Sequence, residues 1–342
     1  MKNRIGKIFA LAMVIVIFSG CSPSAKSGNS GNSETGGARD EILFANPGWD
    51  SIMFHNAVAG YIAVNVYGYK SWSEVTSTTP IAHEALIKGE IDAHMEEWTD
   101  NIVSYQPDVD DGKIVELGVN FDDNNQGFYV PRYVIEGDAE RGIEPMAPDL
   151  KTVADLAKYK DVFKDDEDPK KGRIYGAIPG WEIDTIMYNK YEYNNLDEDF
   201  VYFRPGSQAA MDAAFTSAYD KGEAIVGYYW EPTWLMGKYD FVLLEDEPYV
   251  DDESFQAGET ECPPVRVTIA ASNSFVEKDP EFCEFLSKYK TSSALTSEAL
   301  SYMQDNKAST NDTAIWFLKT HDELIDEWLD AENAEILRAS LE

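Results

Sequence analysis

Histidine, cysteine and positive charge are scarce in this 342-residue sequence, which contains 4 His, 3 Cys and 28 Lys+Arg against 62 Asp+Glu. The net charge of -34 repels polyanions, so we expect no nucleic-acid partner. The four histidines have no metal-ligand spacing, and the acidic run at 165–171 lacks the glycine and closing glutamate of a calcium loop. Glycine-rich phosphate loops, G-x-S-x-G and C-x-x-C are also missing. We therefore expect neither a metal nor a cofactor.

The first forty residues have the composition of an export signal and a linker. Positive residues precede an apolar stretch at 8–18 that is short for a membrane span and is followed by Ser-Gly-Cys. This pattern predicts a lipoprotein signal peptide at 1–20 and lipidation of Cys21; a plain signal peptide with a chance cysteine is the alternative. Residues 21–40 are rich in Ser, Gly and Asn, which predicts a flexible tether. We expect the folded part to be extracytoplasmic and anchored to the membrane by lipid.

Two cysteines, Cys262 and Cys283, remain if Cys21 carries lipid. An oxidising compartment would allow them to form a disulfide. The sequence does not show whether they are close enough, so the pairing stays open.

A Pro-Gly-Trp-acid segment occurs twice, in "NPGWDSI" (46–52) and "IPGWEID" (178–184). Each follows a short apolar run typical of a buried strand and precedes a helical pattern, with Asp50 or Ser51 expected to cap the first helix. Downstream of each, the order helix, glycine, strand, tryptophan follows, ending at Trp98 and Trp230. The repeated order predicts two similar α/β lobes.

Two later strands predict how the chain passes between these lobes. "QGFYVPRYV" (126–134) reads as a strand broken by Pro131, where we expect the chain to cross. The strand at 265–272 lets it return. We therefore expect lobe 1 to comprise 41–128 and 262–342 and lobe 2 to comprise 129–261, with a hinge between them and the binding site in the cleft.

Tryptophan carries the functional signal. Four of the eight tryptophans fall at the ends of predicted strands or the starts of predicted helices, where open α/β sheets bind ligands. An indole face attracts a cation by about 0.5–2 kcal/mol without a hydrogen bond, which suits a quaternary ammonium group. The alternative is that all four are core residues. The four are Trp49, Trp98, Trp181 and Trp230. We expect the other four to be packing residues: Trp72, Trp234, Trp316 and Trp328.

Four segments resemble one family of proteins, the extracytoplasmic substrate-binding proteins of ABC importers for glycine betaine, proline betaine and choline. The resemblance runs from about 41 to 335. It implies the two-lobe, type II periplasmic-binding-protein (Venus-flytrap) fold, an ABC permease as partner and no chemical step. Osmoprotection and nutrition both stay open as roles. The segments are "GEIDAHMEEWTD" (89–100), "GFYVPRYV" (127–134), "PGWE" (179–182) and "YYWEPTW" (228–234).

The resemblance also implies the site residues. Trp98, Trp181 and Trp230 would form the cage around the ammonium group, and Trp49 and Tyr129 match positions that complete the box in choline-binding members. Backbone N–H groups of Glu182 and Ile183, at a helix N-terminus, would hold the carboxylate of a betaine.

Three acids follow the tryptophans of these motifs: Asp50, Glu182 and Glu231. One such carboxylate about 6 Å from a ligand carboxylate would be repelled by roughly 3 kcal/mol, which would favour choline over betaine. The same residues can instead be helix caps.

Two other functions stay open from the residues alone. One is a secreted carbohydrate-active enzyme that uses an acid pair such as Glu182 and Glu231. The other is a receptor for a different small solute on the same fold.

Overall fold

The computed structural model describes residues 39–342. The predicted signal peptide, Cys21 and nearly all of the predicted tether lie outside these described residues.

Ten strands of the described chain form two five-stranded mixed sheets. The first contains β1 (Arg39–Asn46), β2 (Tyr69–Thr76), β3 (Ala93–Trp98), β4 (Ile114–Phe121) and β10 (Val267–Ser272). The second contains β5 (Asn125–Pro131), β6 (Gly172–Tyr175), β7 (Phe200–Phe203), β8 (Gly227–Glu231) and β9 (Phe241–Leu243).

The two sheets have the same topology. Their strand orders are β2-β1-β3-β10-β4 and β7-β6-β8-β5-β9. In each, the first three strands are parallel, and the fourth runs antiparallel to both of its neighbours. This fourth strand is the one that follows the change of sheet, so each sheet is completed by chain arriving from the other lobe.

The helices cover these two sheets. Around the first sheet lie α1 (Asp50–Asn65), α2 (Thr79–Lys88), α3 (Tyr105–Asp110), α9 (Asn273–Lys278), α10 (Pro280–Lys288), α11 (Ser293–Asn306), α12 (Thr310–Thr320), α13 (Asp322–Trp328) and α14 (Ala331–Leu341). With the second sheet lie α4 (Arg132–Glu136), α5 (Ile183–Tyr193), α6 (Gln208–Lys221), α7 (Trp234–Lys238) and α8 (Asp252–Gln256). Short 3₁₀ helices occur at Thr99–Asn101, Val153–Tyr159 and Leu196–Glu198.

The first change of sheet occurs earlier than the sequence predicts. β4 ends at Phe121 in the first sheet, and β5 pairs with β8 from Asn125 onward, so the strand at 126–134 does not itself cross between lobes. Pro131, which cannot donate to a ladder, lies at the end of β5. The return lies between Leu243 and Val267, a range that contains the predicted boundary at 262.

Both Pro-Gly-Trp segments form the strand-to-helix turns that the sequence predicts. Gly48 and Gly180 each have φ of 98°, a backbone conformation that glycine adopts at little cost. At Gly180 a Cβ would also lie 2.6 Å from Thr78 Cγ2 of the other lobe, so the absence of a side chain there allows this close approach of the lobes. The repeated motif therefore encodes the same turn in each lobe.

The expected cap of α1 is wrong. Trp49 is the N-cap residue and makes no side-chain capping bond, while Asp50 begins the helix. The side chains of Asp50 and Ser51 bond instead to Gln208 and Glu96, which lie on other elements. The side chains of these two residues therefore make contacts around the cleft and do not cap the helix.

The tryptophans expected to be packing residues are packed. Trp328 is 1% exposed and donates to Lys290 O, and Trp316 stacks on Tyr302 with ring centroids 4.0 Å apart. Trp72 lies on β2, and Trp234 Nε1 donates to Asp212.

Cys262 and Cys283 are both free in the structure, and burial raises the pKa of each thiol to about 12. They do not form the disulfide that the sequence left open. Within residues 39–342, no helix combines the length and apolar character needed to cross a bilayer.

Candidate functional site

Four tryptophans from corresponding positions of the two lobes meet at one cavity. Trp98 ends β3, Trp230 is the last residue but one of β8, and Trp49 and Trp181 follow the glycines of the two Pro-Gly-Trp turns. The cavity has an empty volume of ≈ 400 Å³, which includes space open to solvent. Its lining consists of Trp49, Thr79, Glu96, Glu97, Trp98, Asn101, Ile102, Trp181, Glu182, Ile183, Tyr228 and Trp230.

Trp181 stands at the centre of the aromatic group. Its ring is perpendicular to those of Trp49 (centroids 5.5 Å apart, 87°) and Trp230 (5.1 Å, 90°). Tyr228 stacks on Trp230 with a centroid distance of 5.9 Å and an angle of 16°. Trp98 is held edge-to-face against Phe121 at 6.0 Å. Perpendicular indoles present faces in several directions, as an aromatic box requires.

Hydrogen bonds join the two lobes around this cavity. Trp181 Nε1 donates to Pro47 O at 3.0 Å, and the Thr79 N–H donates to Gly180 O at 3.0 Å. Asp50 and Gln208 are bonded twice, through Asp50 N–H to Gln208 Oε1 at 2.9 Å and Gln208 Nε2 to Asp50 Oδ2 at 3.3 Å. The structure therefore describes the closed arrangement of the lobes.

Six of the seven residues predicted to bind ligand line the cavity, and Tyr129 does not. Tyr129 is 2% exposed, and its hydroxyl donates to Glu231 Oε1 at 3.5 Å. The lining tyrosine is instead Tyr228, two residues before Trp230 and thus on the same face of β8. That spacing is a signal that the sequence contained.

Among the three acids that follow the tryptophans, only Glu182 lines the cavity. It is the N-cap residue of α5 and makes no side-chain capping bond, and burial raises the pKa of its carboxyl group. Asp50 is engaged with Gln208, and Glu231 accepts from Tyr129.

Sequence reasoning missed two other acids at the cavity, Glu96 and Glu97. Glu96 is completely buried, and its Oε1 accepts from Trp98 Nε1 at 3.0 Å and from Ser51 Oγ at 2.9 Å. Burial raises the pKa of Glu96 to about 8, although interactions with the side chains of Ser51, Trp98 and Trp49 oppose this. The available signal was the pair of consecutive acids inside a strand whose six residues are all buried.

The charge of Glu97 is balanced within the first lobe. His83 Nδ1 lies 3.5 Å and His94 Nε2 lies 4.0 Å from its carboxylate oxygens. Burial alone would raise the pKa of Glu97, but His94 and His83 lower it. Burial alone would lower the pKa of His83, but Glu97 and Asp108 raise it. Glu97 is therefore the acidic half of a buried ion pair.

The residues that line the cavity include three with carboxyl groups and no lysine or arginine. Together with the indole faces, these groups suit a small cation far better than an anion.

A model of the family described as the substrate binding domain of ABC-type glycine betaine transport systems matches residues 40–320. The chain belongs to this family. It is an extracytoplasmic substrate-binding protein of an ABC importer and not an enzyme, so the carbohydrate-active alternative is excluded. The predicted family is confirmed.

Solved structures confirm the predicted two-lobe α/β fold of this substrate-binding protein. An ABC-transporter choline binding protein in complex with choline is 18% identical with a TM-score of 0.69, over 88% of this chain and 98% of that one. The glycine betaine, L-proline-binding protein ProX from Borrelia burgdorferi is 19% identical with a TM-score of 0.66, over 87% and 99%. Lactococcal OpuAC, closed and complexed with glycine betaine, is 19% identical with a TM-score of 0.62, over 84% and 99%. No curated protein sequence matches the chain.

Proposed function

We propose that this protein captures a quaternary ammonium compound, such as choline or glycine betaine, in a cage formed by Trp49, Trp98, Trp181 and Trp230, and delivers it to an ABC permease. The observation that carries the proposal is the convergence of these four indoles, two from each lobe, on one cavity. Tyr228 completes the aromatic wall beside Trp230.

The cage suits a ligand that offers charge but no hydrogen-bond donor at its head group. Each indole face contributes about 0.5–2 kcal/mol to binding a cation, with the larger values in dry sites. Trp49, Trp98, Trp181 and Trp230 are each no more than 8% exposed when the lobes are closed. Several such contacts contribute roughly 4–6 kcal/mol, which is part of the about 8 kcal/mol that micromolar binding requires.

Closure explains how binding would be signalled to a permease. Trp181 contacts both Trp49 of the first lobe and Trp230 of its own, and its Nε1 bonds to Pro47 O of the first lobe. A cation held between these rings would therefore stabilise the closed lobes relative to open ones. The closed form is then the one that the permease would recognise.

Calorimetric titration of the purified protein with choline, glycine betaine and carnitine tests this function. We expect saturable binding of at least one of them. Trp98→Ala should weaken it about 5–30-fold, from the loss of about 1–2 kcal/mol of cation–π attraction. The control is Trp316→Ala, because Trp316 stacks on Tyr302 in the C-terminal helices and does not line the cavity. Binding of none of the three compounds would overturn the proposal.

We further propose that, after removal of residues 1–20, Cys21 carries the lipid that holds the protein at the extracytoplasmic face of the cell membrane. The support is the order of positive residues, apolar stretch and Ser-Gly-Cys. In cell fractionation, the wild-type protein should sediment with membranes and Cys21→Ser should be released. Membrane retention of Cys21→Ser would contradict the lipid anchor.

A further inference from the structure

Strand β3, which ends at Trp98 of the cage, contains an irregularity beside the cavity. In the pairing of β3 with β10, Glu97 lies opposite Thr268 and His94 lies opposite Ala270. Two residues, Met95 and Glu96, therefore oppose the single residue Ile269. Such a bulge removes a backbone group from the ladder and changes the direction of a side chain.

The backbone group that leaves the ladder has its own partner. The N–H of Glu96 donates to His94 Nδ1 at 3.2 Å, inside the buried core. Because Nδ1 accepts this bond, the neutral form of His94 carries its proton on Nε2, which faces Glu97. The bulge is thus supported by a side chain of the same strand.

Glu96 is held at the cavity through one of its two carboxyl oxygens. Its Oε1 accepts from Ser51 of α1 and from Trp98 of the cage. Its Oε2 has no partner with hydrogen-bond geometry among the described residues, and neither has Nε1 of the nearby Trp49, although the Glu96 side chain is 0% exposed and lines the cavity. A completely buried carboxyl oxygen without a partner is rare in proteins, because leaving it unsatisfied is costly.

None of the described residues supplies a counter-charge to Glu96. His94 accepts the N–H of Glu96, and burial lowers its pKa. Burial also lowers the pKa of His55, on α1, to about 3, so that side chain is neutral. Burial and the charge of Glu96 raise the pKa of Tyr289, which bonds to His55. Glu97, the next residue, is paired with its own histidines.

We propose that Glu96 determines which ligand the cage accepts: its free Oε2 is the counter-charge and hydrogen-bond acceptor for a quaternary ammonium compound that carries a hydroxyl group and no carboxylate. This inference rests on the proposed function. The cage recognises the methylated cation, and Glu96 discriminates between ligands by what else they carry. Once a cation in the cage has led Glu96 to ionise, a ligand hydroxyl donates to Oε2 and satisfies it, whereas a ligand carboxylate at the same place is repelled by the like charge.

Calorimetry with three cations of graded chemistry tests the assignment: choline, glycine betaine and tetramethylammonium, which has neither a hydroxyl nor a carboxylate. The wild-type protein should bind choline most tightly. Glu96→Gln should weaken choline by at least about 10-fold and leave glycine betaine unchanged or tighter, because the isosteric amide removes the charge. Tetramethylammonium should lose affinity to a smaller extent than choline.

Glu74→Gln is the matched control. Glu74 is a half-buried carboxyl group of the same lobe that bonds to Asn46 and Asn56 and does not line the cavity. Its substitution should leave the order of the three ligands unchanged. Retained betaine binding by Glu96→Gln shows that this variant is folded.

The inference and the proposed function fail in different ways. A wild-type protein that prefers glycine betaine, or a Glu96→Gln variant that weakens all three ligands equally, would overturn the role of Glu96 and leave the cage intact. A wild-type protein that binds none of the three would overturn the proposed function itself.

Discussion

Replacing Trp181 should have the largest effect of any single change in the cage. Its ring contacts both Trp49 and Trp230, and its Nε1 donates across the cleft to Pro47 O at 3.0 Å. Trp181→Ala removes a dry cation–π contact of about 2 kcal/mol and a hydrogen bond of about 1 kcal/mol. The sum of about 3 kcal/mol corresponds to a loss of affinity of roughly 100-fold.

Trp181→Phe separates the two contributions. Phenylalanine keeps an aromatic face but cannot donate to Pro47 O, so we expect a loss of about 5–10-fold. Both variants should be titrated with the tightest-binding ligand by calorimetry, because fluorescence would be altered by the loss of the indole itself.

Trp316→Ala serves as the control for a general effect of removing an indole, and thermal unfolding of each variant should be compared with that of the wild type. If Trp181→Ala binds within about threefold of the wild type, this residue is a packing residue and the cage is wrongly assigned.

Four further predictions concern Glu96, Gly180 and the two cysteines. Glu96, whose pKa burial raises to about 8, is ionised when a cation binds; choline affinity should therefore rise between about pH 6 and about pH 9, and Glu96→Gln should remove most of this rise. Without ligand, the free energy of unfolding should fall as pH rises from about 4.5 to about 8, because the unfolded chain ionises this group first; urea titrations at several pH values in the wild type and Glu96→Gln would show no difference if the assignment is wrong. Gly180→Ala should weaken binding more than Gly48→Ala: both have φ of 98°, but only at Gly180 does a Cβ meet the other lobe, and equal losses would contradict the closed contact. Thiol titration of the unfolded Cys21→Ser protein without reductant should detect both remaining cysteines, and neither would react if they formed a disulfide.

Much of the fold could be predicted because it is encoded locally and twice. The glycines of the Pro-Gly-Trp turns need positive φ, and Gly89 and Gly222, both with φ of 70°, end α2 and α6 as expected. Each of these signals depends on a few neighbouring residues, so it can be read without knowledge of the rest of the chain.

What could not be predicted depends on contacts between distant segments. The bulge that turns Glu96 toward the cavity arises from the pairing of β3 with β10, about 170 residues later in the chain. The exchange of Tyr129 for Tyr228 depends on which faces of β5 and β8 point into the cleft, and alternation within a strand does not determine this. Asp50 is predicted to be a cap because its actual partner, Gln208, lies on the other lobe and cannot be recognised from the residues around Asp50.

The charge of the ligand is the most direct test of the central claim. The purified protein should be titrated with choline and with its neutral carbon isostere, in which a tert-butyl group replaces the trimethylammonium group. The two compounds have nearly the same shape, so a cage that binds through cation–π attraction should bind choline and reject the isostere by at least about 100-fold. Equal affinity for the two compounds would show that the tryptophans bind by apolar contact alone and would contradict the account.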